Sequence, residues 1–241
     1  MGGKQSYKKQ YLGEITSGIK PLTFQLAIIN FVHQQLPFWR DDPDRSFEQS
    51  EPKLNSQLSK FLNSQARNNF SMICFNHEEP QCGNRAVDLS VLPDEKMIIE
   101  AQTHTKYDPV LVIECKRLPA RSLDYEKEYV TGTKPNQKSG GIQRFKLGLH
   151  GAKFNLVAMI GYVQDRSAYH WHDKINGWIS ELVNNPIGDG CTWTADETLK
   201  AFERDTSRGI YSYRSIHSRT GDMVNNEIEL HHLWVTMNVE N

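Results

Sequence analysis

Asp88, Glu114 and Lys116 are the residues of this chain whose types and setting could do chemistry together. Glu114 and Lys116 stand two apart at the end of the apolar run VLVIECKRL, Val110–Leu118. On a strand both side chains leave from one face, with backbones ~6.6 Å apart. Cys115 between them turns the other way, into the packed layer, as a small apolar residue does. Asp88 lies in RAVDLSVL (Arg85–Leu92), where Val87, Leu89 and Val91 alternate with Ala86, Asp88 and Ser90. That period-two pattern predicts a strand with one apolar face. If the two strands pair, directly or through Met97–Ala101 (MIIEA), Asp88 and Glu114 converge. Two carboxylates held that close repel unless a hard divalent cation bridges them. Mg²⁺ suits the arrangement, taking one or two protein carboxylates, waters and substrate phosphate oxygens. The Lys116 ammonium beside them would orient a water or stabilise the added charge of a phosphorane-like transition state. The plain alternative is a solvated acid at 88 and a surface ion pair at 114 and 116, worth little to stability.

Context has to choose among several candidate strings, because Glu-x-Lys arises readily by chance. A second copy stands at Glu51-Pro52-Lys53. Pro93-Asp94-Glu95-Lys96 has its charges consecutive in a turn, so they do not line one sheet face. Glu100-Ala101-Gln102 stays open as an alternative, with Gln102 in the lysine position. The Glu114 set is preferred because it ends a strongly apolar strand and an acid-bearing strand precedes it.

The elements that must position these residues are legible from periodicity. Leu22, Leu26, Ile29, Val32 or His33, and Leu36 recur at helical spacing, with Pro21 where a first helical residue would sit. Pro37–Phe47 reads as a loop, and Ser50–Ala66 as a second helix with Pro52 in its first turn. Phe70–Asn76 is predicted as a strand, HEEPQCGN as a turn, and Met97–Ala101 as a short strand. A loop at Thr131–Gly141 feeds a helix over Gly141–Leu149. Asn155–Val163 is a buried strand, followed by a helix carrying Trp171, Ile175, Trp178, Ile179 and Leu182. Strands at Ile210–Ser215 and Ile228–Thr236 complete the order. An α/β sandwich with a central mixed sheet and helices on both faces follows.

At this point the chain resembles the PD-(D/E)xK nuclease superfamily. The resemblance covers Glu51–Val163 and rests on order and context. It implies a restriction-endonuclease-like three-layer α/β/α sandwich. It further implies that Asp88 and Glu114 are metal ligands, with the Cys115 carbonyl facing the metal, and that Lys116 is the catalytic lysine. Glu51 matches an additional helical acid of some members, although Pro52 places it at the very start of its helix. Val87 stands where the motif has proline. The implied activity is Mg²⁺-dependent hydrolysis of phosphodiesters, with Mn²⁺ substituting, in restriction, phage defence or DNA repair; DNA is favoured over RNA. The alternative is a non-catalytic nucleic-acid-binding or scaffold subunit that keeps the fold.

Charge distribution bears on the partner. Lys116–Lys153 holds nine Lys or Arg against three acids, a local excess of six, so the remainder carries minus seven against a total of minus one. A basic segment on an acidic body suits a polyanion bound at one place. Within it, Gly140 and Gly141 would let backbone N–H groups approach a phosphate, with Gln143, Arg144 and Lys146 on the following helix. The alternative is a flexible turn with solvated charges. The acidic body would repel duplex, so a homodimer or partner subunit would supply the missing grip.

Composition, at 38% hydrophobic and 24% charged, places the 241 residues with ordinary globular proteins. One nuclease-like domain is expected: 1–48 as a helical extension, 49–165 as catalytic core, and 166–241 completing it. No apolar run approaches a membrane span, the opening is polar without a secretory core, and Cys74, Cys82, Cys115 and Cys191 form no CxxC pair. Reduced thiols and a cytoplasmic setting are expected. Met1–Ser6 (MGGKQS) fits the myristoylation pattern, although one acyl chain anchors only marginally. His170, His172, His231 and His232 lack partners at zinc spacing, and Trp171 and Trp178 read as core.

Overall fold

The computed structural model describes residues 22–81, 83–220 and 226–238. In chain order the elements are α1 (Thr23–Arg40), α2 (Glu51–Asn69), β1 (Ile73–Pro80), β2 (Ala86–Pro93), β3 (Met97–Ile99), β4 (Gln102–His104), β5 (Leu111–Leu118), α3 (Gly141–Lys146), β6 (Leu156–Val163), α4 (Ala168–Asn184), β7 (Lys200–Asp205), β8 (Ile210–Ser218) and β9 (Glu227–Thr236). Seven strands form one mixed sheet in the order β1-β2-β5-β6-β9-β8-β7. The centre, β5-β6-β9, is parallel, and both flanks are antiparallel.

All eight residues of β6 are buried, as the unbroken run LVAMIGYV requires of a strand covered on both faces. Alternation then divides the core. Leu111, Ile113 and Cys115 join Ile28, Val32 and Leu36 of α1 and Leu54, Leu58 and Leu62 of α2. Val112, Val157 and Met159 join Ile142 and Phe145 of α3 and Trp171, Ile175 and Ile179 of α4. Each fully buried Leu, Ile or Val contributes roughly 1.5–3 kcal/mol relative to an exposed one. Helices therefore cover both faces, and α1 is part of the first layer, not an appendage to it. Gly161 of β6 is a packing requirement, since a Cβ there would lie 2.5 Å from the Trp234 ring.

Several element boundaries differ from the sequence reading. The first helix continues through Pro37 to Arg40. Proline costs that turn one N–H, but Trp39 packs on Tyr162 at 5.5 Å between rings, and Arg40 donates to the Arg208 and Thr236 carbonyls. Strand β1 runs on through HEEP because His77, Glu79 and Pro80 pair with Leu89, Val87 and Ala86; its polarity marks a sheet edge, not a turn. Strand β7, an almost wholly exposed KAFERD, was not expected, and it is the opposite edge. MIIEA pairs only with Gln102–His104, in a separate hairpin, so β2 meets β5 directly. The predicted helix over 141–149 stops at Lys146, because Gly148 turns into the left-handed region at φ 63.

No helix among the described residues is long and apolar enough to cross a membrane. Cys74, Cys115 and Cys191 are free thiols. Pro21 and the Met1–Ser6 motif lie outside the described residues.

Candidate active site

The sheet opens beside Asp88. Strands β2 and β5 are in register over Leu89↔Ile113, Ser90↔Val112 and Val91↔Leu111, and the ladder goes no further toward Asp88. In the gap the Asp88 carboxylate replaces the missing strand partner, its Oδ2 accepting from the Cys115 N–H at 2.7 Å. A strand residue directs its N–H and C=O to the same edge, so the Cys115 carbonyl is turned toward the gap as well. The thiol lies in the packed layer and burial pushes its pKa up, so it is no nucleophile.

Four chain segments meet at this strand end. Glu51 opens α2, where a carboxylate also suits the helix dipole. Its Oε1 accepts from Lys116 Nζ at 3.0 Å and its Oε2 from the Arg117 N–H at 3.1 Å. Lys116 Nζ also lies 3.1 Å from Glu114 Oε1. Glu114 is 1% exposed, and both its oxygens are engaged. Arg144 Nη1 donates to Oε1 at 2.8 Å, and His150 Nδ1 stands 3.0 Å from Oε2. An ionised carboxylate only accepts, so His150 carries its proton on Nδ1 toward Glu114.

The three acids divide unequally. Burial alone would raise Glu114, but Lys116, His150 and Arg144 outweigh it and hold the carboxyl well below the usual range. Burial would lower Lys116, yet Glu114, Glu51 and Asp88 keep it firmly protonated. Asp88 has no comparable cation of its own. Burial first, then the Glu114 charge, push its pKa up to about 8, against a smaller opposing pull from Lys116. The site is a carboxylate group short of positive charge at Asp88.

That shortage is the test of whether a divalent ion suits these residues. Among the described residues no three His, Cys, Asp or Glu gather into a closed metal cage. Mg²⁺ needs none, since it keeps waters and takes few protein oxygens. Asp88, Glu114 and the Cys115 carbonyl are hard oxygen donors of that kind, and a cation at Asp88 would replace the proton it otherwise holds.

The segment after the site corrects the sequence reading. Gly140, Gly141, Gln143 and Lys146, expected to grip a phosphate, are all buried. A Cβ on Gly140 would lie 2.2 Å from Thr131 Cα, and one on Gly141 would lie 2.5 Å from Met159 Cε, so these glycines serve close packing. Gln143 locks the preceding loop: its Oε1 accepts from Gly132 N and Gly140 N, both at 3.1 Å, and its Nε2 donates to the Asp189 and Gln137 carbonyls. Gln143→Leu is therefore expected to cost about 2–4 kcal/mol by orphaning buried backbone groups. Urea unfolding checks the loss, and limited proteolysis should place new cleavage within residues 131–140. Lys146 is fully buried, with Nζ 2.5 Å from Glu197 Oε1 and 4.8 Å from the centre of the Trp193 ring. Only Arg144 of the expected set reaches the site.

His150 is the site residue the sequence reading passed over. It sits 1% exposed, held back under α3 by its N–H to the Arg144 carbonyl, with left-handed Gly148 and Gly151 on either side. The signal was there: a lone histidine between turn-forming glycines, just past the helix that follows the Glu-x-Lys strand. The rival strings lie elsewhere. Asp94, Glu95 and Lys96 are an exposed bend, while Glu100 and Ala101 form the tip of the β3–β4 hairpin at φ 50 and 63. His232 joins a buried hydrogen-bonded row, with Tyr129 on Nδ1 at 2.8 Å and Ser215 on Nε2 at 2.7 Å. His231 pairs with Glu229, and His172 reaches the Leu199 carbonyl. Trp171 and Trp178 are core. No family model, no curated protein and no solved structure matches the chain.

Proposed function

We propose that the chain is a Mg²⁺-dependent nuclease of the PD-(D/E)xK type, hydrolysing phosphodiester bonds of DNA in restriction, phage defence or repair. The observation that carries this reading is the meeting of Glu51, Asp88, Glu114 and Lys116 at one opened strand end. The element order supports a restriction-endonuclease-like sandwich: a helix with Glu51, a hairpin with Asp88 on its second strand, the Glu114–Lys116 strand, then a short helix and a parallel strand.

Asp88, Glu114 and the Cys115 carbonyl would hold the metal, which supplies Lewis-acid stabilisation of the developing phosphate charge. Lys116 is fixed between Glu51 and Glu114, so its ammonium cannot drift, and it holds a water or the transition-state charge in place. Glu51 positions Lys116. Lys134 and Lys138 are exposed on the loop that Gln143 locks, and with Arg144 they form the basic face for a phosphate backbone. This basic face replaces the one expected from Gly140 to Lys146.

The test is incubation of the purified chain with plasmid and with single-stranded DNA, in Mg²⁺, Mn²⁺ or EDTA. Cleavage is expected with either metal and lost in EDTA and in Asp88→Asn. Because Asp88 holds a proton below about pH 8, the Mg²⁺ concentration giving half-maximal rate is expected to fall as pH rises toward that value. Full cleavage by Asp88→Asn would sink the assignment. One observation favours the scaffold reading: both Glu114 oxygens are already satisfied by protein groups. In that case no metal produces cleavage.

A further inference from the structure

Three groups hold the buried Glu114 carboxylate, and they are not equally removable. His150 is 1% exposed and anchored between the turns at Gly148 and Gly151. Lys116 is 12% exposed and tied at the same time to Glu51. Arg144 is 24% exposed, and its one other hydrogen bond runs from Nε to the Lys138 carbonyl at a long 3.3 Å, on an exposed loop. Both Glu114 oxygens are already taken, Oε1 by Lys116 and Arg144 together and Oε2 by His150, so a further cation finds room on this carboxylate only where one of these groups withdraws. Arg144 is the one whose withdrawal leaves the packed layers undisturbed.

We propose that Arg144 is a place-holding cation: its guanidinium occupies the metal's position on Glu114 in the metal-free protein and is exchanged for Mg²⁺. This rests on the nuclease reading and adds to it a coupling between metal and substrate. The ion pair keeps a buried carboxylate compensated while no metal is present, at the cost of weaker metal affinity. Metal entry frees a planar, bidentate phosphate-binding group at the site. The guanidinium leaves toward the face that carries Lys134 and Lys138, where a phosphodiester would lie. Metal binding and presentation of Arg144 are then one event.

The experiment reads metal binding, not cleavage. Mn²⁺ alone is titrated into the full chain and free Mn²⁺ is followed by electron paramagnetic resonance, for the native protein, Arg144→Gln, and Arg144→Gln combined with Glu114→Gln. Circular dichroism confirms that each is folded. Arg144→Gln is expected to bind Mn²⁺ about fivefold or more tightly than the native chain, the worth of a unit charge at ~4 Å under strong screening. Adding Glu114→Gln is expected to abolish the gain. Equal or weaker binding by folded Arg144→Gln overturns the inference and leaves the nuclease reading standing. So does a gain that survives Glu114→Gln. Absence of Mn²⁺ binding in every variant, the native chain included, overturns both. Should Arg144→Gln not fold, nitrogen-15 spectra of the native chain decide the matter. Saturating Mg²⁺ is expected to shift the Arg144 Nε–H signal and speed its exchange with water, and an unmoved signal overturns the proposal.

Discussion

Lys116→Met is expected to lower kcat on plasmid DNA by about 10²–10³-fold, the usual cost of removing one preorganised charge from a transition state. Methionine keeps most of the aliphatic stem, so the change isolates the ammonium. That ammonium lies 3.0 Å from Glu51 and 3.1 Å from Glu114. Glu114 keeps Arg144 and His150 when it is gone, so the fold should survive and the assay remains interpretable. DNA affinity is expected to change little, because Lys116 is only 12% exposed and its ammonium is already held by two carboxylates. Single-turnover cleavage together with duplex binding separates the two effects. A variant that cleaves at the native rate removes Lys116 from the chemistry, and with it the main reason for reading the strand end as catalytic.

Lys146→Met is expected to destabilise the protein by about 3–5 kcal/mol, because it strands a buried carboxylate. Glu197 is 2% exposed, and its Oε1 takes Lys146 at 2.5 Å and the Ser218 N–H and hydroxyl, each at 3.0 Å. Burial opposes ionisation of both partners; His217 and Lys146 still hold Glu197 well below its usual value, while Lys146 itself is lowered. The melting temperature should fall by about 6–20 °C for a chain of this length. Lys146→Met combined with Glu197→Gln is expected to recover most of the loss, since the amide oxygen still accepts from Ser218 without a charge to neutralise. Thermal unfolding of the native, single and double variants forms the cycle. A single variant as stable as the native chain, but weaker on DNA, would restore Lys146 to the phosphate-binding role that the sequence suggested.

The contrast between Lys116 and Lys146 shows how far residue patterns reach. Alternation in RAVDLSVL and the apolar run before Glu114 depend on local burial, so both strands were legible, as was the shared facing of Leu89 and Val91; Val87 packs instead with the opposite layer, and Ser90 is buried. Convergence of Asp88 on Cys115 follows once the strands pair directly, which the sequence allowed but did not require. Glu51 was legible only as a helix-start acid; its contact with Lys116 depends on where α2 docks, a tertiary matter. Lys146 failed for the complementary reason. Its partner Glu197 lies 51 positions away in a short turn without periodic signal, so nothing local distinguishes a buried ion-paired lysine from a solvated one. The same holds for Gln143 and the Asp189 carbonyl. Edge strands such as β7 escape because an exposed strand has no apolar alternation to read.

The place of β9 has a consequence for how the molecule comes into being. The last strand of the described fold is not peripheral; it lies between β6 and β8, joining the two flanks. Until Glu227–Thr236 has been threaded in, the apolar run Leu156–Val163 is a bare edge open to any other strand. Its pairings, Ala158 with Ile113 on one side and with His231 on the other, span long stretches of sequence. Such topologies fold slowly and stay aggregation-prone meanwhile. A chain interrupted before β9 is therefore expected to be an insoluble fragment, not a folded protein with a damaged site. The acids and the lysine gain fixed positions only after β9 has taken its place between β6 and β8.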